Sequence, residues 1–154
     1  MTHHRGSLSE ALDGLNGKSA WGLTRTHGSM FFLEVGNLTL RPGEKRQHGE
    51  WHFLFEMCHW RFEDENTVVV GSDDPPQRID EQFRTLQLQT FDHVEILQPS
   101  NDLRIVFSSG VCMRTFTTCS LADDEATQWH LFDPCDNVWT ANLTGQVFAH
   151  DANE

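Results

Sequence analysis

Beyond Trp21 the apolar residues fall in short β-type runs separated by Gly, Pro, Asn and acidic turns, and only two stretches repeat at helical spacing. The first is near the start. Leu8, Ala11, Leu12 and Leu15 form an apolar stripe, with Ser7 as cap, Glu10 as its capping-box partner and Asn16-Gly17 as the stop. This predicts a short helix packed as a flap over a sheet. The second is SDDPPQRIDEQFRTL, where Asp74 as cap and Pro75 at the first position open a helix with Ile79, Phe83 and Leu86 on one face.

Between and after them the strands predicted are Trp21–Thr26, Met30–Val35, Leu38–Leu40, Trp51–Phe62, Thr67–Gly71, Val94–Leu97, Leu103–Ser108, Val111–Thr118, Ala126–Phe132, Val138–Leu143 and Gln146–Ala149. Ser109-Gly110 is read as a two-residue hairpin loop, which puts Cys112 and Phe116 on the same face as Leu103, Ile105 and Phe107, and Arg104 and Thr115 on the other. The long strand Trp51–Phe62 splits by parity into a core face of Trp51, Phe53, Phe55 and Met57 and a second face of His52, Leu54, Glu56, Cys58, Trp60 and Phe62, joined by His48 and Glu50 if the strand begins earlier. The fold expected is α+β and mainly β: an antiparallel two-layer sandwich or partly open barrel with two short helices. It is read as one domain over 1–154, with a helix or flap at 1–18 and a β core at 20–149.

Eleven phenylalanines and five tryptophans suit a buried core rather than a disordered chain. The net charge of −12 disfavours nonspecific attraction to nucleic acid or anionic lipid and suits a basic protein partner. Cys58, Cys112, Cys119 and Cys135 form no CxxC pair, the start lacks a signal-peptide core, and no apolar run is long enough to span a bilayer. These features predict a cytoplasmic protein with reduced cysteines.

Chemistry candidates concentrate in HGEWHFLFEMCHWRFED. Within it His48, His52, Glu56, Cys58 and His59 are residue types that bind zinc or another transition metal, although their spacing matches no known framework. Residues two and four apart on a strand lie roughly 7 and 13 Å apart, so His52 and Glu56 alone cannot share an ion, whereas Glu56 and Cys58, or His48, Glu50 and His52, could hold one with help from a neighbouring strand. No GxSxG elbow, activated-cysteine signature or glycine-rich phosphate loop is present, and no motif identifies a reaction. The acids gather in connections: Glu63, Asp64 and Glu65; Asp73 and Asp74; Asp123, Asp124 and Glu125. There they would steer a basic partner, with Trp129, Trp139 and Trp60 as candidate anchors alongside their core reading.

The blocks WGLTRTHGSMFFLEVG and GEWHFLFEMCHWRFE resemble a family of small bacterial proteins with a GHGSxLxLEFG … RGEWHLWIYxCxWRI pattern, and DLRIVFSSGVCMRTF … DDEATQWHLFDP resembles the ending of bacterial immunity-type domains. The resemblance covers about half the chain. It implies a stand-alone accessory protein, an immunity-type inhibitor of a basic toxin or effector, and carries over no catalytic residue. The function expected is therefore non-enzymatic protein binding without a cofactor. The alternatives are a metal-binding protein or metal-dependent enzyme at the histidine cluster, a phage-type inhibitor mimicking nucleic-acid charge, and a small-ligand binder.

Overall fold

Short β-prone runs closed by tight turns assemble a single antiparallel sheet in the computed structural model, which describes residues 6–39, 47–118, 126–142 and 147–151. The elements of the first half are α1 (Leu8–Asp13), β1 (Ser19–Arg25), β2 (Phe31–Thr39), β3 (His48–Phe55), β4 (His59–Glu63) and β5 (Val68–Gly71). They are followed by α2 (Pro76–Thr85), β6 (Gln89–Leu97), β7 (Asp102–Phe107), β8 (Cys112–Phe116), β9 (Thr127–Phe132), β10 (Asn137–Asn142) and β11 (Val147–Asp151). The sheet order is β11-β10-β9-β3-β2-β1-β6-β7-β8-β4-β5, so the fold is α+β and mainly β. Asp123, Asp124 and Glu125 lie outside the described residues.

The predicted strand Trp51–Phe62 is broken in two. β3 and β4 are joined by only Glu56, Met57 and Cys58, yet they stand six positions apart in the sheet. A flat sheet would hold them about 29 Å apart, roughly twice what three linking residues can span. The sheet therefore folds over on itself, and rings far apart in strand order meet. Phe31 on β2 lies 4.8 Å from Trp60 and 6.0 Å from Phe62 on β4, and Phe53 on β3 lies 6.4 Å from Phe91 on β6. The two halves are joined at β1 and β6 by the pairs Ser19↔Thr90 and Ala20↔Gln89.

The break resets the parity. Met57, expected in the core, is 59% exposed, whereas Cys58, Trp60 and Phe62, expected on the second face, are buried. Trp60 and Trp129 are 2% and 0% exposed, and Trp139 is also buried. Trp129 donates its indole N–H to the Asn101 carbonyl and Trp139 donates to Asp133, so all three tryptophans are framework and none is a surface anchor.

A second register differs from expectation. Phe107 N–H donates to the Val111 carbonyl, closing a three-residue loop of Ser108, Ser109 and Gly110 with Gly110 at φ +94. One extra loop residue turns β8 over relative to β7. Met113 and Thr115 now face inward with Leu103 and Ile105, and Arg114 stands beside Arg104 on the outer face.

Smaller differences follow the same logic. The two strands expected at Met30–Val35 and Leu38–Leu40 are one strand as far as Thr39, with a bulge after Val35 where Gly36 adopts φ +85. Helix α2 starts one residue later than predicted, after Pro75, because the Asp74 carboxylate is engaged by the Gly71 N–H at 2.8 Å. Helix α1 is capped by Ser7 as expected, and its Leu12 is buried. Among the described residues no helix is long and apolar enough to cross a membrane.

The folded-over core makes a direct prediction. Phe31→Ala should cost about 3–5 kcal/mol in urea unfolding. Phe148→Ala, on the exposed edge strand β11, should change stability by less than about 1 kcal/mol. Equal effects would contradict the core assignment.

Candidate metal centre

The outer face of the half formed by β1, β2, β3, β9, β10 and β11 is read off the strand register. One row across it runs Gly22, Glu34, His52, Phe132, Val138 and His150. The next runs Thr24, Phe32, Leu54, His130, Thr140 and Phe148. A solvated sheet face normally alternates to plain polar residues. This one instead carries a buried acid, two half-buried histidines and several phenylalanines.

Glu34 is the centre of the arrangement. It sits in the apolar run MFFLEVG and is 3% exposed. Two glycines make room for it. A Cβ on Gly22 would lie 2.7 Å from the Glu34 Cγ, and a Cβ on Gly49 would collide with the Val35 backbone, so β3 approaches β2 closely at that point. His52, directly opposite Glu34, has its Nδ1 2.7 Å from both carboxylate oxygens. Gly49 N–H donates to Oε1 at 3.2 Å, and His48 Nδ1 lies 3.6 Å from Oε2. The two imidazoles meet edge to face, with centroids 5.3 Å apart. His52 is further held by Phe32 at 4.8 Å and Phe132 at 5.3 Å.

Burial pushes the Glu34 carboxyl pKa up, but the His52 hydrogen bond and charge, the Gly49 N–H and the His48 charge outweigh it and hold it below its usual value. Glu34, His48 and His52 each offer one ligand atom, and all three atoms lie within 4.8 Å of one another. Two imidazole nitrogens and a carboxylate oxygen suit zinc and similar divalent ions, and leave at least one coordination position for water or a ligand.

The other residues of the predicted cluster are elsewhere. Glu56 lies on the same outer side but pairs with His130, whose Nε2 is 2.7 Å from Oε1 and whose Nδ1 is 2.8 Å from the Thr140 hydroxyl. Cys58 is buried and donates to the Gln128 carbonyl; burial first, then the charges of Asp102 and Glu56, push its thiol up to about 12, so it stays protonated. His59 is half exposed and lies 3.3 Å from Asp73. Glu50 accepts the Asn37 N–H at 2.7 Å. Parity along one strand places His48 and His52 on one face, but it does not reach Glu34 and His130, which come from the neighbouring strands. The signal for Glu34 was present, since an acid inside an apolar strand must have a partner.

Among the described residues, Glu63, Asp64 and Asp74 of the acidic loops are engaged within the chain. Glu63 receives the Arg61 Nε at 2.8 Å, Asp64 accepts the N–H groups of Asn66 and Thr67, and Asp74 accepts Gly71 N–H. Glu65 is exposed. No protein-family model matches the chain, and comparison with curated proteins and with solved structures returns no match.

Because the Glu34 pKa is lowered in the folded state, its ionisation stabilises the fold above the unfolded carboxylate pKa. That contribution is lost as pH falls below about 4.5, through the folded value. The expected result is that stability measured by urea unfolding from pH 7 to pH 3 falls more steeply for the wild type than for Glu34→Gln. Parallel profiles would show that this carboxylate is not specifically held.

Proposed function

We propose that this protein binds a divalent transition metal, with zinc as the best fit, through Glu34, His48 and His52. The observation that carries the reading is the convergence of three ligand atoms within 4.8 Å around a carboxylate that is 3% exposed. A buried carboxylate demands a cation or a set of donors. Here one partner is His52, directly opposite on the facing strand, and the other is His48, beyond the β2 bulge at Gly36. An ionised Glu34 carboxylate can only accept, so its 2.7 Å contact with His52 Nδ1 calls for a proton on that nitrogen, which a metal would displace. Binding therefore releases protons and weakens on acidification.

The test is zinc titration by calorimetry, with elemental analysis, on protein purified without a histidine tag and stripped with chelator. One equivalent of zinc is expected. His52→Ala should weaken binding by more than about 100-fold, beyond the 10–100-fold typical of losing an outer-shell partner. Binding well below one equivalent, or equal affinity in His52→Ala, would end the proposal.

A second reading, an immunity-type inhibitor of a basic toxin or effector, is supported by the charge balance. The chain carries −12, and Arg25, Arg61, Arg78 and Arg104 are already paired with Asp80, Glu63, Asp74 and Glu95. The surplus negative charge is then available to an outside partner. Binding to the product of an adjacent toxin gene, weakening steeply with salt, is the outcome this reading requires.

A further inference from the structure

The outer face of the other half of the sheet carries a feature unlike the rest of this acidic molecule. Arg104 on β7 stands opposite Arg114 on β8, and Arg114 stands opposite Arg61 on β4. Three arginines on three adjacent strands thus form one row, with Glu95 on β6 at its end. Directly opposed residues have Cβ atoms about 5 Å apart, and like charges at that spacing repel.

Among the described residues the repulsion is only partly met. Glu63 engages the Nε of Arg61 at 2.8 Å, and Glu95 engages Nη1 of Arg104 at 3.1 Å, leaving each guanidinium with further N–H groups. Arg114 has no such partner: among the described residues its Nε is buried without a hydrogen-bond acceptor. The Phe116 ring holds two of the three together, with the Arg61 and Arg114 guanidinium carbons 4.8 and 5.1 Å from its centroid. Among the described residues, three guanidiniums against two paired carboxylates leave a local surplus of one positive charge in a chain of net −12. Arg61 and Arg104 side chains are 39% and 37% exposed, so a ligand can reach the row from solvent.

We infer that Arg61, Arg104 and Arg114 form a binding site for the phosphate group of a small phosphorylated molecule, with Arg114 as its principal anchor. Planar guanidiniums present forked donors that match tetrahedral phosphate oxygens. A dianion seated there supplies the countercharge that the row lacks. This site lies on the opposite half of the sheet from Glu34, His48 and His52 and stands or falls independently of the metal reading.

The test is calorimetric and NMR titration of the full chain with inorganic phosphate, phenyl phosphate and citrate at constant ionic strength. Saturable binding of the two phosphates is expected, weakened at least about tenfold in Arg114→Gln and less in Arg114→Lys, which keeps the charge but loses the fork. His52→Ala should bind phosphate as the wild type does. A merely structural Arg114 would lower the melting temperature when replaced. The inference instead predicts that Arg114→Gln melts no lower than wild type without phosphate and loses the upward shift that phosphate gives the wild type. No saturable phosphate binding, unchanged affinity in Arg114→Gln, or binding of citrate alone would overturn it.

Discussion

Three residues, Glu56 to Cys58, constrain the whole architecture. Because they tie β3 to a strand six places away, the sheet has to close on itself, and the aromatic-rich middle segment serves both halves of one core. The side chains of β3 and β4 alternate correctly within each strand but not across the link. That single change of parity sends Trp60 and Phe62 inward and leaves Met57 in solvent. It also turns Arg61 to an outer face whose chemistry differs from that of the face carrying Glu34 and its histidines.

The Glu34 site illustrates how a charge is retained inside a sheet. Desolvation alone would drive the carboxyl to its neutral form, and four favourable interactions from β3 reverse that. Such pairs are seldom a gain over apolar packing of equal volume, so their presence asks for a reason beyond stability. Coordination of an ion, as proposed, would supply one. The glycines at 22 and 49 fit this account, since each leaves space or close approach at the point where the carboxylate and imidazoles must meet. The neighbouring Glu56–His130 pair adds a second imidazole–carboxylate contact on the same face, diagonal to His52.

Much of the fold could be read from the chain because burial alternates along strands and turn residues punctuate them. Helix α1 and its Ser7 cap, the helix carrying Ile79 and Phe83, and most strands fall where the pattern puts them. What the pattern could not carry was non-local. Nothing in HFLFEMCHWRF marks where one strand ends, because both halves remain strongly apolar and pair with different partners. The SSG turn is compatible with loops of two or three residues, and only the pairing of Phe107 with Val111 decides between them. That one-residue choice brings Arg114 beside Arg104. The histidines at 48 and 52 were legible as a pair on one face, but their acid lies 14 residues before His48, across a strand ladder.

The most direct measurement of the central claim is X-ray absorption at the zinc edge on the full chain loaded with one equivalent of zinc. The account predicts a shell of nitrogen and oxygen scatterers at about 2.0–2.2 Å with two imidazole ligands and no sulfur, and loss of one imidazole in His48→Ala. A sulfur scatterer at about 2.3 Å, or a shell of water oxygens alone, would contradict it.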